Sequence, residues 1–301
     1  MGFAIPAAVA VLTFLAFLPT LDNGFVDWDD ISNLGDNESY RGIGRTQIAW
    51  MFTTFHMGHY IPLTWLTFGL DYAVWGMDPF GYHLTNLVLH AANAALVYWI
   101  AVWLLTLAVP GLSSEWLGLR LTAMTAALLF SLHPLRVESV AWATERRDVL
   151  CGFFYLLAIL AYLRACEAQS ASARGRRLWY GAAVAAFAIS LLSKSMAVSL
   201  PVVLLLLDIY PLRRLTLDRA ILKEPRQRLV LAEKIPFVIL SAAAAVAAVV
   251  AVRRGALLAP MSELGIVERV TLATFSLAFY LWKMLAPVNL SPLYEMPDSI
   301  R

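Results

Sequence analysis

Apolar residues recur along the chain in blocks at 3–21, 84–109, 119–132, 149–165, 178–193, 196–210, 235–252 and 268–287. A helix rises 1.5 Å per residue, so about 20 apolar residues cross a hydrocarbon core of about 30 Å. The blocks therefore predict about eight membrane segments. The first has no Lys or Arg ahead of it and is longer than a secretory-signal core, so it is read as a retained span. Polar segments lie between the blocks, chiefly 22–60 and 133–148. The predicted fold class is an all-α polytopic membrane protein, a bundle of transmembrane helices with loop helices outside the membrane.

Composition agrees with this reading. Hydrophobic residues make up 60% of the 301 and charged residues 15%, against about 25% charged in soluble domains; the mean hydropathy is +0.69. A net charge of +2 gives no reason to expect a nucleic-acid partner. Cys151 and Cys166 lie fifteen positions apart in one expected helix, roughly 22 Å along its axis, too far for a mutual disulfide.

The basic residues give an orientation. Arg164, Arg174, Arg176 and Arg177 fall in one connection, and Arg213, Arg214, Arg219, Lys223, Arg226, Arg228 and Lys234 in another. If 178–193 and 196–210 form a hairpin, both connections share one side, cytoplasmic by the positive-inside rule. The segments 22–60, 133–148 and the turn Ser193-Lys194-Ser195 then meet on the extracytoplasmic face. Arg253 and Arg254 fall there too, against the rule.

Candidate chemistry concentrates on that face. The segment from His133 to Asp148 gathers both signs of charge. Read as one helix, it carries Glu138, Trp142 and Glu145 on one face and Arg136, Val140, Ala143 and Arg147 on another. The stretch Asp27-Trp28-Asp29-Asp30 could hold a general base, bind a cation, or be a solvated loop that keeps charge outside the membrane. His56 and His59 lack a metal partner at a convincing spacing. His83 and His90 share a helix face and read as interfacial or buried hydrogen-bonding residues. Lys194, set between apolar blocks, requires an anionic ligand such as phosphate or an Asp or Glu partner.

Several motifs carry a resemblance: Phe25-Val26-Asp27-Trp28-Asp29-Asp30, Pro62-Leu63-Thr64-Trp65, Gly81-Tyr82-His83-Leu84 with Asn86, the block His133 to Asp148, and Leu205-Leu206-Leu207-Asp208 before Tyr210-Pro211-Leu212. In this order they resemble bacterial membrane proteins with C-terminal tetratricopeptide repeats. These are similar to the eukaryotic transmembrane and tetratricopeptide-repeat O-mannosyltransferases, and both groups resemble the GT-C class of glycosyltransferases. The resemblance implies that residues 1–301 form a GT-C-like transmembrane domain. Further helices and repeats are expected beyond 301 in a full-length chain, since no 34-residue period appears within it. Leu290-Ser291-Pro292-Leu293-Tyr294 also matches.

The activity implied is transfer of a sugar, such as mannose, from a polyprenyl-phosphate donor to a protein or glycan hydroxyl, on the extracytoplasmic face of a bacterial cell membrane. Asp29 and Asp30 match the family's acidic pair, one of them serving as base, with Asp27 where Asn is more usual. Arg146, Arg147 and Lys194 would bind the donor phosphate, and Lys194 precedes Ser195 where the family usually has Pro. His59, His133, Arg136, Glu138 and Asp148 would support the substrates. A divalent cation, Mg or Mn, on the paired aspartates stays open beside a metal-free basic clamp. Two other classes stand beside this reading: a non-enzymatic membrane scaffold, and a lipid or solute transporter, which would be expected to show charged mid-span residues and related halves.

Overall fold

The computed structural model describes residues 2–168, 172–216, 224–255, 264–291 and 294. It is 77% helical and has no strand among those residues. The helices are α1 (Ala4–Ala16), α2 (Arg45–Thr53), α3 (Pro62–Trp75), α4 (Pro79–Ala108), α5 (Leu117–Ser131), α6 (Arg136–Ala141), α7 (Arg146–Ala168), α8 (Ala173–Ser193), α9 (Leu200–Ile209), α10 (Pro225–Ala232), α11 (Ile235–Arg254) and α12 (Ile266–Leu285). Among the described residues three stretches are long and apolar enough to cross a membrane: 79–108, 146–168, and 225–254 across α10 and α11. The helices at 4–16, 117–131 and 195–209 are apolar but shorter. The protein is an all-α membrane protein, as expected, with fewer full-length spans than the eight apolar blocks suggested. Block 3–21, for example, breaks after Ala16 into a 3-10 turn at Leu18–Asp22 that contains Pro19.

The 30-residue α4 is the hub, packing against α1, α5 and α7. Asp78 caps it by accepting from Phe80 N at 3.1 Å, with Pro79 in the first turn, where its missing N–H costs nothing. Helices α7 and α8 form the most extensive pair, closed by a core of Tyr162, Leu163, Phe187, Leu204 and Phe237. The segment 225–254 is only 11% buried over its apolar window, and Val238, Ile239, Val246 and Val249 are exposed, as lipid-facing side chains should be.

At one end of the bundle, α2 and α3 build a small cap around Tyr40, Met51, Trp65, Phe68 and Tyr82. The apolar blocks gave no sign of this cap, because α3 is too short and interrupted by Asp71 to read as a span. At Gly69 a Cβ would lie 2.6 Å from the Gly42 carbonyl oxygen, so α3 approaches the 40–42 backbone as closely as it does only with glycine there.

The single helix expected over 133–148 is not formed. It is two helices, α6 and α7, with Trp142 to Glu145 non-helical between them. Tertiary hydrogen bonds replace the helical ladder at the break. Asn86 Nδ2 donates to the carbonyl of Trp142 at 3.0 Å and to that of Ala143 at 3.4 Å, and Thr144 N donates to Asp30 at 2.8 Å. Glu138 and Glu145 consequently do not share a helix face.

Candidate functional site

Helices α4 and α7 run parallel in the bundle, and α7 begins where α4 begins, so residues 79–86 and 142–148 lie together. Three segments far apart in sequence converge on this end: the loop after α1, the α6–α7 junction and the α8–α9 turn. Arg147 donates through Nε to Glu145 Oε1 at 3.0 Å, again through Nη2 to the same oxygen, and through Nη2 to Asp29 Oδ2 at 3.5 Å. Lys194 Nζ donates to Glu145 Oε2 at 3.2 Å and to Asp148 Oδ1, while Asp148 Oδ2 accepts from Ser139 Oγ at 3.1 Å. Two cations and three carboxylates thus form one connected cluster. The cost of Lys194 between apolar blocks is met by carboxylates. No proline is needed to break the chain at this point: α8 ends at Ser193, Lys194 is extended, and a 3-10 turn Ser195–Ser199 leads into α9.

The adjacent aspartates have different surroundings. Asp30 is wholly buried and accepts from Val26 N at 3.0 Å, from Thr144 N at 2.8 Å and from Thr144 Oγ1. It ties the loop to the α6–α7 break. Asp29 is 36% exposed at its side chain and, among the described residues, pairs only with Arg147. Asp27 is exposed on the same loop.

Arg146 and Arg147 also part company. Arg146 is wholly buried; it pairs with Asp71, donates to Asn86 Oδ1 at 2.7 Å and to the Tyr82 carbonyl at 2.6 Å, and lies 4.7 Å from the Phe68 ring centroid. Every side of its guanidinium is taken by protein. Expected on a donor phosphate, Arg146 in this structure instead braces α7 against α3 and α4. Arg147 differs, because its Nη1 makes no hydrogen bond among the described residues and the residue lines an open groove.

That groove, about 460 Å³, has Arg147, Lys194 and His59 at its head and Leu191, Ala244 and Ala248 along its walls. A second groove of about 520 Å³ opens nearby, with Trp28, Trp142, Tyr280 and Tyr294 as aromatic walls and Glu138 on its lining. Trp28 and Trp142 lie 5.5 Å apart by ring centroid, and Trp142 Nε1 is buried with no hydrogen-bond partner. Asp29 links the two linings, next in sequence to Trp28 of the second groove and in contact with Arg147 of the first. Of the terminal motif, Leu290, Ser291 and Tyr294 line this second groove, whereas Pro292 and Leu293 lie outside the described residues.

The remaining candidates are more peripheral. His133 Nε2 meets the Met284 carbonyl at 2.9 Å, and its Nδ1 accepts from Leu135 N. Arg136 covers the Phe130 ring at 4.5 Å. His90 Nε2 meets the Ser131 carbonyl at 2.9 Å, as a buried hydrogen-bonding histidine should, whereas the buried His83 makes no well-formed ring hydrogen bond among the described residues, the Gly24 backbone being its nearest partner. Cys151 and Cys166 are both free. Among the described residues no group of three or more His, Cys, Asp or Glu is placed to hold a metal ion.

The cluster shifts its own titrations. Burial would raise the Glu145 carboxyl, but hydrogen bonds and charge from Arg147 and Lys194 outweigh it and hold the group below its ordinary range. Glu138 goes the other way, raised by partial burial and then by the negative charges of Glu145 and Asp148. Partial desolvation, followed by the nearby Arg147 and Lys194 cations, lowers His59, which favours its neutral form.

Sequence reasoning missed Asp71 as a functional neighbour and gave Glu145, Asn86 and Thr144 no role. A lone carboxylate in Gly69-Leu70-Asp71-Tyr72-Ala73 was the available signal, since an isolated charge among apolar residues implies a partner.

Comparison with known proteins bears out the resemblance to the transmembrane and tetratricopeptide-repeat O-mannosyltransferases. The chain is 32% identical over 160 residues to protein O-mannosyl-transferase TMTC2 of Homo sapiens, a match covering 53% of this chain and 18% of that protein. It is 31% identical over 207 residues to protein O-mannosyl-transferase Tmtc2 of Drosophila melanogaster, covering 66% of this chain and 21% of the relative. Human TMTC4, also named a protein O-mannosyl-transferase, is 33% identical over 147 residues, or 46% of this chain and 19% of the relative. The matched part thus spans about a fifth of these curated relatives. No family profile matches the chain, and no solved structure matches it.

Proposed function

We propose that this chain is the catalytic transmembrane part of a GT-C type glycosyltransferase that moves a sugar, such as mannose, from a polyprenyl-phosphate donor to a protein hydroxyl on the extracytoplasmic face. The observation that carries this reading is Asp29, a partly exposed carboxylate joined through Arg147 to a groove with a cationic head and apolar walls and through its neighbour Trp28 to a groove with aromatic walls. A polyprenyl phosphate has the same division as the first groove: an anionic head for Arg147 and Lys194, and an isoprenoid tail for the alanine and leucine walls. The second groove suits an extended peptide, whose apolar and aromatic side chains stack on Trp28 and Trp142. The names of the curated relatives support the transferase class and a protein acceptor.

In this mechanism Asp29 takes the proton of the acceptor hydroxyl as its oxygen bonds to the anomeric carbon. The bond from that carbon to the phosphate oxygen breaks, and its electron pair leaves with the polyprenyl phosphate. Arg147 Nη1 and Lys194 stabilise the charge that develops there, and Asp29 then returns its proton to water. Glu145 holds both cations in place and stays ionised. Asp30, saturated by Thr144 and Val26, fixes the loop that carries Asp29.

Arg147→Lys tests the clamp. Lysine keeps the charge but loses the geometry that lets one guanidinium hold Glu145 and still present Nη1 to a phosphate. The expected result is a rise in KM for the lipid-linked sugar of about tenfold, roughly one charge-assisted hydrogen bond, with the acceptor KM unchanged. An unaltered donor KM would remove Arg147 from the donor site.

Orientation is tested separately. Cysteines placed at the exposed positions Ser32 and Ser172, at opposite ends of the bundle, should differ in intact cells: an impermeant thiol reagent labels the first and spares the second. Reversed labelling would put the site on the cytoplasmic face and exclude the proposed reaction compartment.

A further inference from the structure

At the end of the bundle opposite Asp29, the end of α4, the end of α7, the start of α8 and helix α10 enclose a third cleft of about 550 Å³. Arg147 and Cys166 mark the two ends of α7, nineteen residues apart, about 28 Å along the axis. That is close to the thickness of a hydrocarbon core, about 30 Å. If one charged cluster lies at one membrane surface, the third cleft lies at headgroup level on the other.

Among the described residues the charge in this cleft is not balanced. Arg176 and Arg214 share Glu233, and Arg214 and Lys234 share Asp208, so three cations are held by two carboxylates. Arg226 lines the same cleft, is exposed, and has no carboxylate partner among the described residues. Glu167, also on the lining, is answered by Arg164 at 3.2 Å. Beside these cations the wall is apolar, and two of its side chains remain uncovered: Leu107 is 38% and Leu229 69% exposed. A soluble anion would neutralise the arginines and leave that apolar surface in water. A molecule with an anionic head and acyl chains would cover both.

We propose that this cleft binds the headgroup of an anionic phospholipid, its phosphate on Arg176 and Arg226 and the start of an acyl chain along Leu107 and Leu229. The site is distinct from the donor groove and does not depend on the transferase reading. Its occupant would join α10 to α4, α7 and α8, and so anchor the start of the long segment 225–254.

The test uses the full-length protein in nanodiscs, with lipid retention read by native mass spectrometry and unfolding by thermal melting. Nanodiscs of phosphatidylcholine with a minor fraction of phosphatidylglycerol should yield protein carrying phosphatidylglycerol well above its bulk fraction and melting higher than in phosphatidylcholine alone. Arg226→Ala removes an exposed, unpaired side chain and should weaken that enrichment about fivefold, with Arg176→Gln doing the same. Arg177→Ala, exposed on the same helix but outside the lining, should leave it unchanged. Equal retention of both lipids, enrichment that survives Arg226→Ala, or an equal loss in Arg177→Ala would overturn the proposal. So would a matching melting shift produced by millimolar inorganic phosphate in phosphatidylcholine alone, which would identify a free-anion site.

Discussion

Asp29→Asn is expected to lower kcat for sugar transfer by about a hundredfold or more, the usual scale for removal of a general base, while the protein expresses and melts like the parent. The substitution keeps the shape of the side chain and removes its basicity and negative charge, and the group it replaces is partly exposed with one distant cationic contact. Asp30→Asn should do the opposite. Its carboxylate is wholly buried and accepts from two backbone N–H groups and a hydroxyl. An amide can satisfy these donors only in part, at a cost of about 1–3 kcal/mol. Folded yield and melting temperature should therefore fall, with any loss of turnover following the loss of folded protein. Transfer kinetics and melting curves on the two purified variants separate the roles. Unchanged turnover in Asp29→Asn with a large loss in a stably folded Asp30→Asn would exchange the assignments. Unchanged turnover in both would remove the base from this loop.

The convergence of 22–60, 133–148 and Lys194 at one end was legible in the sequence, because polar segments separated by membrane-length apolar blocks must alternate between two ends. Lys194's need for a partner was legible for the same reason. The difference between Asp29 and Asp30 was not. It depends on Thr144, 114 residues away, and nothing local distinguishes two neighbouring carboxylates. The break at Trp142–Glu145 was hidden likewise: Val140, Ala141, Trp142 and Ala143 are compatible with helix, and the chain leaves it because Asn86 and Asp30 capture the backbone groups a helix would use. Local preference is weak enough, below about 1 kcal/mol per residue, for such contacts to decide. The family resemblance alone grouped Arg146 with Arg147 on the phosphate, and no local feature of the sequence separates the two neighbours. The break places Arg146 in the first turn of α7, aimed inward at Asp71.

Arg146→Ala should therefore be a folding lesion before it is a catalytic one. The change leaves Asp71, itself 7% exposed, as a carboxylate among Phe68, Tyr82 and Thr85 without its cation. Breaking a buried pair on one side costs about 3–5 kcal/mol, most of it from the stranded charge. Asp71→Asn strands the guanidinium instead and should cost a comparable amount. The paired replacement Arg146→Met with Asp71→Leu strands neither charge and should regain most of the loss, since an apolar pair of similar volume avoids both desolvation penalties. Melting temperatures of the two single variants and the double in detergent measure this coupling directly. If Arg146→Ala melts like the parent and instead raises KM for the donor, the guanidinium reaches the phosphate in the working enzyme, and the brace assigned to it is wrong. If the double variant is no more stable than the singles, the contacts of Arg146 with Asn86 and the Tyr82 carbonyl carry the docking of α7, and Asp71 serves mainly to neutralise it.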